Sequence, residues 1–96
     1  MQYFHRTAVS PDTAMARAAA VFGERLAPVA EGGRRRSWSG ALGTVTVTIA
    51  AEGGHYTLVT VATDQLAESE LDRLAKHYLG EVHRLAEPGH VLRGAY

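Results

Sequence analysis

Between Gly43 and Thr63 the chain reads GTVTVTIAAEGGHYTLVTVAT, two alternating stretches set about a glycine pair. A period of two sends successive side chains to opposite faces of a strand. The segment therefore predicts a β-hairpin with its valines on one face. A two-residue loop at Gly53-Gly54 would place Val47 opposite Thr60 and mix threonine into both faces. A three-residue loop Glu52-Gly53-Gly54, with glycine in the left-handed conformation and a bulge, pairs Val47 with Val59 and Val45 with Val61. Burial selects the second register, because a one-residue slip exchanges the faces of a sheet. One face then carries Val45, Val47, Ile49, Thr57, Val59 and Val61 and takes the helices. The other carries Thr44, Thr46, Thr48, Tyr56, Leu58, Thr60 and Ala62.

That second face is unusual for a wet surface. Solvated faces of antiparallel sheets are normally rich in Lys, Glu, Arg and Gln, whereas this one offers short hydroxyls, methyls and an aromatic ring. Two readings stand. Threonine is a good strand former whose branched carbon packs well on a pleat. Alternatively, a second subunit, a larger protein or a ligand lies on the face, since small amphiphilic side chains lose little rotamer entropy when covered.

The flanks supply the rest of the fold. YFHRTAV, residues 3–9, predicts a first strand that stops at Ser10-Pro11-Asp12, with Ser10 as N-cap, Pro11 as first helical residue and Asp12 beside the positive helix end. Met15, Ala18, Ala19, Phe22, Leu26 and Val29 recur at helical spacing, so the helix is expected to run until Pro28 and the glycines at 32 and 33 close it. Residues 34–39, RRRSWS, predict a strand before the hairpin. Leu71, Leu74, Ala75, Tyr78, Val82 and Leu85 form the apolar stripe of a closing helix, with Ser69 and Asp72 spaced as a capping box. Asp72 with Lys76, and His77 with Glu81, fall at i,i+4 on its expected solvent side. The order β-α-β-β-β-α predicts class α+β: an antiparallel sheet of about four strands with two helices packed on one face. At 96 residues the chain makes one domain, residues 1–96, with 88–96 an extended tail after the helix.

Composition narrows the function classes. Ten basic residues balance ten acidic ones, so no global field draws the chain to nucleic acid or an anionic membrane. No cysteine is present, which removes disulfide frameworks, thiol nucleophiles and cysteine-ligated metals. The start MQYFHRTAVSPD lacks the pattern of a signal peptide, and no apolar run reaches a membrane span of about 20 residues. The expectation is a cytoplasmic protein without cofactors.

Local chemistry is sparse. In a strand, Arg34, Arg36 and Trp38 share one face, presenting two guanidinium forks and an indole as a dock for an anion or a partner. The same residues also suit a charged edge strand with Trp38 at the core margin. Five histidines occur, His5, His55, His77, His83 and His90, of which His77 and Glu81 could ligate a metal but read better as a solvated ion pair. Each Asp and Glu is expected in a loop, a cap or on a polar helix face, so no catalytic constellation forms.

The succession TAVSPDTAMARAAAV, GTVTVTI, HYTLVTVAT and ESELDRLAKHYLGEVHRLAE resembles the START-related helix-grip superfamily of polyketide cyclases and lipid-transfer proteins. Its members are longer and have more strands. The resemblance implies a last helix gripped by the sheet over an apolar cavity, here among Val47, Val59, Tyr78 and Val82. Two functions are expected. The first is a non-catalytic accessory or structural subunit that binds a protein partner or itself through Arg34, Arg36, Trp38, Thr44, Thr46, Thr48, Tyr56, Leu58 and Thr60. The alternative is a carrier of a small apolar ligand in that cavity.

Overall fold

The computed structural model describes residues 1–86; the tail expected at 88–96 lies outside them. The elements are β1 (Gln2–Thr7), α1 (Pro11–Gly23), β2 (Ala27–Ala30), β3 (Arg35–Gly40), β4 (Gly43–Glu52), β5 (Tyr56–Thr63) and α2 (Glu70–Ala86). The class is α+β, an open antiparallel sheet of five strands in the order β1-β5-β4-β3-β2 with two helices. β4 is the central strand, and β1 reaches its place by pairing with β5 (Tyr3 opposite Val61, His5 opposite Val59).

α1 starts as its sequence predicts. The Ser10 side chain accepts from the Thr13 amide at 3.2 Å, and Pro11 is the first helical residue. It ends earlier than expected. The helix stops at Gly23, and Leu26 and Val29 lie beyond it. The amides of Arg25 and Leu26 donate to the Phe22 carbonyl at 3.1 and 2.9 Å, closing a turn that drops Leu26 into the core from outside the helix. Pro28 then pairs with Trp38 in the edge strand β2, where its missing donor faces no neighbour. β2 is the strand that raises the count from four to five. Val29 sits at its bulge and is exposed.

The hairpin keeps its predicted faces with a different register. Val47 pairs with Val61 and Ile49 with Val59, and Glu52 closes against Tyr56. The loop is Gly53-Gly54-His55, one residue later than expected, with both glycines left-handed at φ 65° and 74°. The pairing has slipped by two residues, which returns every side chain to the face it had. Val45, Val47, Ile49, Val59 and Val61 are all buried beneath the helices.

An aromatic knot ties the layers. Phe22 on α1 lies 5.5 Å from Trp38 on β3 and 5.4 Å from Tyr78 on α2 between ring centroids. The Tyr78 hydroxyl donates to the Ala14 carbonyl of α1 at 2.8 Å, and burial pushes its phenol pKa up. Small α1 residues, Ala14 and Ala18, allow this close approach. Phe22→Ala should cost about 3–5 kcal/mol by loss of the ring and the cavity left behind, and Tyr78→Phe about 1 kcal/mol by loss of one hydrogen bond. Urea denaturation followed by far-ultraviolet circular dichroism checks both.

Candidate docking face and the seam behind it

Because the valines face the helices, the alternate residues of every strand form a continuous outer face that neither described helix covers. Reading across the sheet, Phe4 stands opposite Thr60, Thr60 opposite Thr48, and Thr48 opposite Arg35. The next row runs Gln2, Ala62, Thr46, Ser37, Ala30. Hydroxyls are zipped in pairs: Ser37 Oγ and Thr46 Oγ1 share a hydrogen bond at 2.8 Å, and Ser39 Oγ and Thr44 Oγ1 another at 2.9 Å. These cross-strand pairs satisfy one another's polar atoms.

Two aromatics mark one corner. Phe4 is 61% exposed and Tyr56 57%, with Leu58 between them on the same face. Arg6 of β1 reaches over β5 to form an ion pair with Glu52 of β4. Both ends of that pair are solvated, so it contributes little to stability. It does cancel the charge at that corner. Arg35, near the other edge, is the remaining ionised side chain on the face, and its guanidinium has no ion-pair or hydrogen-bond partner among the described residues.

Of the residues expected to bind a partner, Thr44, Thr46, Thr48, Tyr56, Leu58 and Thr60 share this face. Arg34, Arg36 and Trp38 do not join them. Trp38 pairs with Val45 and Arg36 with Val47, which puts both on the inner face. Trp38 is 3% exposed and packs on Phe22, so it is a core residue and cannot be a contact. Arg36 Nε donates to the Gly32 carbonyl at 2.8 Å, and Arg34 lies before the strand, its carbonyl accepting from the Ile49 amide at 2.8 Å. Phe4, Arg35, Ser37 and Ser39 are the face residues the sequence did not single out. Alternation within each strand was a signal for them, but which face of β1 or β3 aligns with the threonines depends on pairing.

The alternative ligand site is built of Val47, Val59, Tyr78 and Val82. All four side chains are fully buried and fill the layer between sheet and α2. Shallow grooves of 190–270 Å³ lie instead between the helices, around Arg17, Glu81 and Leu85. There Glu81 lies 3.1 Å from His77 Nε2 and forms an ion pair with Arg17 at 3.4 Å. Among the described residues no group of three or more His, Asp or Glu could hold a metal ion, and no helix is long and apolar enough to cross a membrane.

Behind the face, a polar seam runs between β1 and α2. Asp72 was expected on the solvent side of α2, paired with Lys76 and reaching back to cap Ser69. Its amide does donate to the cap, Ser69 Oγ, at 3.1 Å. Its carboxylate is instead fully buried and accepts from Thr63 Oγ1 at 2.5 Å. The stripe of α2 that meets β5 includes this position, which the spacing of apolar residues alone did not show. Lys76 Nζ lies 5.5 Å from the centre of the Tyr3 ring. Neither Asp72 Oδ2 nor the Tyr3 hydroxyl has a hydrogen bond of good geometry, yet the phenol senses the carboxylate: desolvation first and the Asp72 charge second raise the Tyr3 pKa. Farther along, His5 and His83 meet edge to face at 5.8 Å. Partial burial, then the charge of His83, lowers the His5 pKa.

Compared with protein-family models, with curated proteins and with solved structures, the chain matches none.

The seam has a pH signature. Because the folded pKa of His5 lies below its unfolded value near 6.5, the neutral form belongs to the folded state. Its contribution is fully present above pH about 6.5 and is lost as pH falls through the folded value. His5→Gln should therefore show a smaller drop in stability than the wild type between neutral and mildly acidic pH, measured by urea denaturation at each; parallel curves would rule the effect out.

Proposed function

We propose that this chain is a non-catalytic accessory or structural subunit that docks a protein partner, or a copy of itself, through the outer face of its sheet. One observation carries the reading: the whole face is left bare by both helices while its charges are nearly cancelled and four of its hydroxyls, those of Ser37, Ser39, Thr44 and Thr46, are already paired. Covering a polar group without a partner costs about 1–3 kcal/mol. Ser37, Ser39, Thr44 and Thr46 bring their partners with them, so they can be desolvated at small cost. Phe4 and Tyr56 supply the rigid exposed aromatics that anchor interfaces.

Carriage of a small apolar ligand, the function that a helix-grip resemblance implies, would need room where Val47, Val59, Tyr78 and Val82 sit. Those side chains are closed to solvent and Tyr78 is tied to α1, which favours docking over carriage.

A benzophenone side chain placed in turn at Thr48, Thr60 and, on the helix layer, Arg73 tests the reading in the cells that make the protein. Adducts of one defined mass are expected from Thr48 and Thr60 and not from Arg73. Equal labelling from all three positions, or none from the sheet face, would sink it.

A further inference from the structure

We infer that the occupant of this face is a second copy of this chain, related by a two-fold axis running along β4; the inference rests on the docking reading above. Such an axis keeps each cross-sheet row in place along the strand and exchanges its left and right halves. The row Phe4, Thr60, Thr48, Arg35 is built for that exchange. β4 is the central strand, so Thr48 lies on the axis, Phe4 two strands to one side and Arg35 one strand to the other. After rotation each Phe4 stands about one strand spacing, ~4.8 Å, beyond the other copy's Arg35. That is within reach of a guanidinium on a flexible stem, and it gives the unpartnered Arg35 the face of an exposed aromatic ring.

Size and charge agree with the same operation. In the neighbouring row a two-fold along β4 lays Gln2 of each copy over Ala30 of the other, and Ala62 over Ser37, so uncharged and mostly small side chains meet there, as one isologous patch requires. The centre, Thr46 and Thr48, is uncharged, and Arg6 is neutralised within its own copy by Glu52, so no like charges meet there. Five strands at about 4.8 Å and some 20 Å long give a footprint of roughly 500 Å² per copy. Allowing for side-chain relief, about 1,000–1,400 Å² is covered in total, around the lower bound of specific interfaces. Sheets stacked this way lie about 10 Å apart.

The test is the mass of the purified full chain across a concentration series, by sedimentation or light scattering, with circular dichroism confirming that each variant is folded. The wild type is expected at twice the 10.3 kDa chain mass. Phe4→Lys sets a cation against the partner's Arg35 and should weaken association at least about tenfold. Combining it with Arg35→Glu turns the contact into an ion pair and should recover most of that loss. Leu66→Ala, exposed but off the face, should leave association unchanged. A wild type that stays monomeric overturns the inference, as does a folded Phe4→Lys that associates like the wild type or a double variant with no recovery. If the wild type is monomeric while Thr48 and Thr60 still crosslink to a protein of another mass, the second copy fails and the docking reading survives; if those crosslinks vanish too, both fail.

Discussion

Five aliphatic side chains that must leave water, Val45, Val47, Ile49, Val59 and Val61, organise everything else in this protein. They occupy alternate positions on the two adjacent strands at the middle of the sheet, so a single face of β4 and β5 is committed to burial. Both helices settle there because it is the apolar surface available to them, and their own buried stripes include Phe22 and Tyr78, which meet over the valines. The period of two then leaves the intervening residues on the other side of the sheet with nothing among the described residues to cover them. The bare hydroxyl face is thus the geometric complement of the core.

What the face is made of is a separate matter from its being bare. Lysine or glutamate would serve equally well opposite the valines if water were the only neighbour. Hydroxyl pairs across β3 and β4, an internally cancelled charge pair and two exposed rings make a surface with low desolvation cost and a few rigid anchors. These are properties of interface centres, from which charged residues are depleted and in which aromatics are enriched. The edges differ in the same sense. β2 is short, bulged and carries Pro28, devices that discourage strand addition. The proposed docking through the face would need neither edge.

The seam between β1 and α2 works differently. Asp72 enters a buried position at the first turn of α2, where the Thr63 hydroxyl donates to its carboxylate near the positive end of the helix. Next to it a cation lies on the Tyr3 ring, and farther along two imidazoles touch. β1 is held to the helix layer by these polar and aromatic contacts more than by aliphatic packing, so the seam responds to protonation where the valine core does not.

Legibility in the sequence tracked the range of the interactions involved. Helix caps, the hairpin, the two faces of β4 and β5 and the stripe of α2 depend on residues within a few positions of one another, and Ser10, the Gly53-Gly54 turn and the valine–threonine alternation declare them. The end of α1 was misread because Leu26 keeps helical spacing while reaching the core from a turn. RRRSWS leaves Trp38 open between a partner face and the core margin because nothing local says which of its faces aligns with Val45. Phe4 and Arg35 joined the threonines only through pairings between strands far apart in sequence, and Asp72 was buried only by the angle at which α2 meets β5. The chain by itself determined which side chains alternate and therefore what each strand can bury. Tertiary pairing alone decided which strands bring their faces together, since register is set by hydrogen bonding and packing across the sheet and leaves no mark on any single segment.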